Sequence, residues 1–111
     1  MEENNIDILY ARADAAVDRL SVADNHWTFQ KIAGHHAWHC INHGHKEAML
    51  VIEYDKYGNL VFKVIDTGLI RFVDGRVSFN FTMPGILEDE QEDEFLDAHL
   101  ISPLNHLHGI T

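Results

Sequence analysis

One cysteine, two prolines, no long apolar run and, from residue 77 to residue 111, not one lysine or arginine: the chain is marked first by what it has little of. A single cysteine, Cys40, cannot form an intrachain disulfide, and the expected compartment is a reducing cytoplasm. No stretch approaches the ~18 consecutive apolar residues that a membrane-spanning helix needs. The opening residues, Met1-Glu2-Glu3-Asn4-Asn5, are acidic and lack the apolar core of a signal peptide. No serine sits in a nucleophile elbow and no glycine-rich loop is present to cradle a phosphate.

The shortage of bases is uneven. The chain holds eight Lys/Arg against eighteen Asp/Glu, a formal charge of −10 at neutral pH. Residues 1–76 carry all eight bases with eleven acids, whereas residues 77–111 carry seven acids and no base. Phosphates would repel such a surface, which argues against direct binding to nucleic acid or anionic membranes and favours a basic partner. Nine histidines would lift the charge from −10 to −1 if all were protonated, in keeping with an isoelectric point near 5.1.

At 111 residues with 46% apolar content, the chain is expected to be one domain, 1–111, with a core of its own. Ile6, Leu9, Ala13, Val17 and Leu20 recur at three- and four-residue steps, which predicts a helix over 6–21 capped by Asn4 or Asn5. Asp14, Asp18, Arg12 and Arg19 would then face water. From residue 26 the period shifts to two. A three-residue loop at Lys56-Tyr57-Gly58 would pair Tyr54 with Leu60, Ile52 with Phe62 and Leu50 with Val64. Asp66-Thr67-Gly68 would pair Val64 with Ile70 and Phe62 with Phe72. The Asp74-Gly75 hairpin would pair Phe72 with Val77 and Ile70 with Phe79. A loop at Gly34-His35 would set Phe29 opposite Cys40 and Lys31 opposite Trp38. These turns agree on one apolar sheet face. Pro84 closes the sheet, and a second helix is expected from Leu87 to Ile101, stopped by Ser102-Pro103, with an irregular tail beyond. The fold class is therefore α+β: an N-terminal helix, a five- to six-stranded antiparallel meander, and an acidic C-terminal helix packed on one sheet face.

Candidate chemistry is thin. "VIDTGLI" resembles the active-site signature of aspartic proteases, but Leu69 stands where a small residue follows the glycine, and the triplet doubles as a hairpin turn. "HHAWHCINHGH" has five histidines in eleven residues, and His39, His43 and His45 are the candidate ligands of a zinc ion. His43-x-His45 is similar to cupin metal strands, although Glu47 misses the spacing of their glutamate. Successive strand residues point to opposite faces, so His39 is badly placed to activate Cys40 as a nucleophile. No catalytic constellation remains, and the chain is read as a non-enzyme.

The acidic segment is the exception. Glu88, Asp89, Glu90, Glu92, Asp93, Glu94 and Asp97 fall within ten positions. The first acids suit a helix N-terminus, but the later ones repel one another with no Lys or Arg four residues away. These seven are the candidate partner-binding residues. In profile the chain resembles the small acidic inhibitors that phages carry against host defence nucleases, and the immunity proteins that neutralise basic nuclease toxins. The resemblance implies a cofactor-free protein, in the cytoplasm of a bacterial host cell if phage-encoded, that imitates nucleic acid to occupy a nuclease or another basic nucleic-acid-binding enzyme. Alternatives are a histidine-based zinc protein and an acidic secretion-type chaperone. A homodimer through an edge strand or the mixed sheet face is compatible with the pattern. The zinc reading has its own measurement: zinc would raise the melting temperature, and substituting His39, His43 or His45 would remove the rise.

Overall fold

Five strands lie side by side in the order in which the chain makes them. In a computed structural model, which describes residues 2–23, 26–42, 47–66, 77–84 and 87–107, these are β1 (Trp27–Lys31), β2 (Ala37–Asn42), β3 (Glu47–Tyr54), β4 (Leu60–Asp66) and β5 (Val77–Met83). All neighbours are antiparallel and the sheet is open. Helix α1 (Glu2–Val22) precedes it; α2 (Asp89–Leu96), a single π-helical turn (Asp97–Ile101) and α3 (Ser102–Leu107) follow.

Turn chemistry sets the register. Gly58 sits at φ 80°, where a side chain would be strained, and the Asp55 carboxylate accepts from the N–H groups of Tyr57 and Asn59, both at 2.9 Å. Those bonds, the one from Asn59 above all, hold the Asp55 carboxyl below its ordinary range. Tyr54, Ile52 and Leu50 accordingly face Leu60, Phe62 and Val64, as the loop length implies. Gly34, also at φ 80°, turns β1 into β2 with Phe29 opposite Cys40 and Lys31 opposite Trp38.

β4 is where the expectation fails. Its second side is taken by β5, with Phe62 opposite Phe81 and Val64 opposite Phe79, not by a strand through Ile70 and Phe72. Residues 67–76, including the Asp74-Gly75 hairpin and its pairings with Val77 and Phe79, lie outside the described residues. β3 and β5 flank β4 on its two sides. Both candidate segments alternate with period two, so patterning alone cannot choose between them. The later one supplies the partners β4 takes, with Phe79, Phe81 and Met83 opposite Val64, Phe62 and Leu60. A register shift at Val64/Ile65 then sets Val77 opposite Ile65 and leaves it 45% exposed.

One sheet face carries the core. Trp38, Leu50, Ile52, Phe62 and Val64 pack against Ala13, Ala16, Val17 and Leu20 of α1 and against Leu96, Leu100 and Leu104. The helix expected to stop at Ser102-Pro103 runs on to Leu107. The π turn explains how: the Ser102 N–H reaches back five residues to the Asp97 carbonyl, so the ladder is already irregular where Pro103 brings a ring and no donor. At the other end α1 begins at Glu2, so Asn4 and Asn5 lie within it and do not cap it.

Cys40 is fully buried, its thiol turned to the Trp38 carbonyl at 3.8 Å, and burial pushes its pKa above the ordinary thiol value. A raised pKa means the folded state favours the protonated thiol. That contribution is complete below the unfolded thiol value, about pH 8.5, and is lost as pH rises beyond it. Cys40 is therefore expected to ignore a thiol reagent at pH 8 until urea unfolds the chain, and the urea midpoint should fall above about pH 9. Labelling at low urea would show the thiol accessible. Truncating Phe62 to alanine should cost about 3–5 kcal/mol in the same titration.

Candidate functional site

The acidic helix begins with a reciprocal cap. The Gln91 side-chain carbonyl accepts from the Glu88 N–H at 2.9 Å, and the Glu88 carboxylate accepts in turn from the Gln91 N–H. Its inward stripe then falls at four-residue steps: Glu92, Leu96, Leu100, Leu104. A carboxylate has taken a core position. At 2% exposure Glu92 cannot stay charged there unaided, because desolvation costs several kcal/mol.

Two arginines from α1 answer that cost. Arg12 Nε donates to Glu92 Oε2, and Arg19 Nη2 donates to Glu92 Oε1 at 2.7 Å. Arg19 Nε also donates to Asp93 Oδ1 at 2.7 Å, and its Nη1 lies 3.8 Å from Asp89 Oδ1. Arg12 Nη2 reaches the Pro84 carbonyl at 2.9 Å, just beyond the end of β5. The Arg19 pKa is raised, first by its bond to Asp93, against the opposing effect of burial. Arg12 and Arg19 thus turn to the second helix and do not face water as the sequence implied. The relief for crowded acids comes from α1, not from i±4 neighbours.

This sorts the seven candidate residues. Glu92 is internal. Asp93 is half-buried in an ion pair, and Asp89, its side chain 83% exposed, is only grazed by Arg19. Glu88, Glu90, Glu94 and Asp97 are exposed, and among the described residues none of them forms an ion pair. Glu90, Glu94 and Asp97 stand at i, i+4 and i+7, one outward stripe opposite Glu92 and the leucines. Small residues make the inward contact close: Ala13 and Ala16, both fully buried, lie between the arginines on α1.

The histidines are dispersed. His39 Nε2 is 3.6 Å from Glu47 Oε2 on the face away from Cys40, His36 stacks on Tyr10 with ring centroids 3.5 Å apart, and His99 stacks on Phe95 at 4.0 Å. His43 and His45 lie outside the described residues, and among the described ones no group of three or more His, Cys, Asp or Glu is placed to hold a metal. No described helix is long and apolar enough to cross a membrane.

No family model, no curated protein and no solved structure matches this chain.

The clamp has a signature in its ΔΔG pattern. Glu92→Gln leaves two guanidiniums short of a counter-charge and should cost about 1–3 kcal/mol, less than a wholly buried pair because both arginines keep some water. Glu94→Gln, which removes like-charge repulsion, should leave stability within about 0.5 kcal/mol of the parent or raise it. Urea titration of both variants reads the contrast, and equal losses would place the two carboxylates in equivalent surroundings.

Proposed function

We propose that the protein is a binding protein that presents the outer stripe of α2 to a basic surface on a partner, of the kind that otherwise holds nucleic acid. The observation that carries this reading is the division of labour on α2. Glu92 and Asp93 are spent on Arg12 and Arg19, which leaves Glu90, Glu94 and Asp97 on the opposite side of a helix that cannot roll. At 1.5 Å of rise per residue their carboxylates recur every ~4.5–6 Å along the helix, within reach of successive Lys or Arg side chains lining a channel. The charge of −10 adds a long-range field that draws such a partner in, in keeping with an inhibitor of a nuclease or another nucleic-acid enzyme in the bacterial cytoplasm. The interface asks for no cofactor: carboxylate–guanidinium and carboxylate–ammonium contacts suffice.

The test separates the outer stripe from the clamp. The parent chain and a Glu90→Gln/Glu94→Gln/Asp97→Asn variant are immobilised, a bacterial lysate is applied at low salt, and retained proteins are eluted by rising salt. Basic nucleic-acid enzymes should be held by the parent, be displaced by competing DNA duplex, and be lost by the variant while its melting curve stays unchanged. Equal retention by both chains would remove the outer stripe from the binding surface.

A further inference from the structure

Among the described residues, the side chains most easily oxidised are kept from water, with one class excepted. Cys40, Met49, Met83, Trp27 and Trp38 are all buried. The tyrosines are not: Tyr54 is 43% and Tyr57 76% exposed, and Tyr10 is half-buried. Two of these three rings are in contact.

The contact follows from the fold. Leu50, Ile52 and Tyr54 form the inward row of β3; the first two are covered, and Tyr54, at the strand's end opposite Leu60, keeps part of its ring in water. Tyr10 meets it from α1, with ring centroids 5.8 Å apart and planes at 78°, an edge-to-face contact. His36, in the β1–β2 turn, stacks on Tyr10 with centroids 3.5 Å apart and planes within 5°. The His36 carbonyl accepts from the Ile52 N–H at 2.9 Å, two residues before Tyr54. Helix α1, the β1–β2 turn and the end of β3 are thus tied at one corner, and every residue of that corner is described. Burial first, then the nearness of Tyr54 and Glu53, raises the Tyr10 pKa, so Tyr10 is a neutral phenol at physiological pH.

We infer that Tyr10 and Tyr54 form an oxidative coupling site, at which a one-electron oxidant joins the two rings by a carbon–carbon bond and staples α1 to β3. The oxidant is peroxide activated by a haem peroxidase. Each phenol gives one electron to the oxidant and loses its hydroxyl proton, which leaves two phenoxyl radicals. The radicals combine at the carbons ortho to the oxygens, and the hydrogen on each joined carbon moves to the phenol oxygen as the rings regain aromaticity. The chain loses two electrons and two protons in all, and one hydrogen peroxide takes them up to become two waters. The stack on His36 holds Tyr10, whereas the exposed ring of Tyr54 is free to turn and bring its ortho carbon to bear. With all sulfur and indole groups of the described residues buried, no better electron donor shares this surface. A chain with a single cysteine has no disulfide to restrain it, and a bond between residues 10 and 54 closes a long loop and takes entropy from the unfolded state.

Tyr57 is the internal control. It is the most exposed of the three, but its ring partner is the Lys56 ammonium, 5.2 Å from the centroid, and no ring contact ties it to Tyr10 or Tyr54. The whole chain, dilute and folded, is treated with a haem peroxidase and hydrogen peroxide, and the monomer is isolated and digested for mass spectrometry. The expected product is a pair of peptides joined through residues 10 and 54 and lighter by two hydrogen atoms. Tyr10→Phe and Tyr54→Phe keep the ring packing and should each abolish that pair, whereas Tyr57→Phe should leave it. Circular dichroism checks that each variant is folded. The same treatment in urea should yield the pair only as a minor product among couplings to Tyr57 and between chains. A folded chain that couples only through Tyr57 or only between molecules overturns the inference. So does a 10–54 pair that forms equally well in urea, or the absence of any coupling.

Discussion

A carboxylate almost stripped of water sits between two guanidinium groups, and the placement of the whole helical layer hangs on it. Glu92 occupies a position that leucine would fill as well, in line with Leu96, Leu100 and Leu104. Exchanging a buried ion pair for packed hydrocarbon is often neutral or stabilising, so added stability is a weak reason for Glu92 to be there. Geometry is a better one. A leucine stripe lets a helix slide or roll by a fraction of a turn, whereas both oxygens of Glu92 are claimed by donors on α1, two helical turns apart. Since Arg12 also holds the Pro84 carbonyl, α1, α2 and the exit from β5 meet at one polar joint inside an otherwise apolar contact.

Once α2 cannot roll, the remaining acids have fixed directions. Arg19 neutralises Asp93 beside the clamp and touches Asp89, and beyond that arc no cation among the described residues faces the helix. Crowding on the outer stripe costs a few tenths of a kcal/mol per pair, small against the burial of Leu96, Leu100 and Leu104. The π turn belongs to the same arrangement. Widening the helix by one residue at Asp97–Ile101 lets the chain pass Pro103 and keep Leu104 in line with Leu100. His99 covers the irregularity by stacking on Phe95 and meeting its carbonyl at 2.9 Å.

What could be read from the residues follows a physical division. Registers across tight turns were legible, because Gly58 and Gly34 demand positive φ and a demanded turn fixes the pairing that follows. The partner of β4 was not legible: Ile70/Phe72 and Phe79/Phe81 alternate alike, and only the assembled sheet chooses. The extent of the second helix was missed because a proline inside an α-helical ladder ends it, and the π turn that accommodates Pro103 leaves no mark in composition. The clamp was missed for a different reason. Looking four residues either side of Glu92 finds no base, while Arg19 and Arg12 stand 73 and 80 residues away. A signal existed nonetheless: Glu92 lies four before Leu96, on the inward stripe, and Arg12 and Arg19 flank the buried alanines of α1.

The acid-rich helix and the charge-free strand are two sides of one design problem. Phe81 belongs to β5 and Phe95 to α2, and the two rings lie 5.8 Å apart, so the acidic helix and the charge-free strand are neighbours. Val77–Met83 carries no charge, and the ring contact ties that strand to the helix whose roll Glu92 fixes, so the clamp that directs the outer acids also sets where Phe95 meets the sheet.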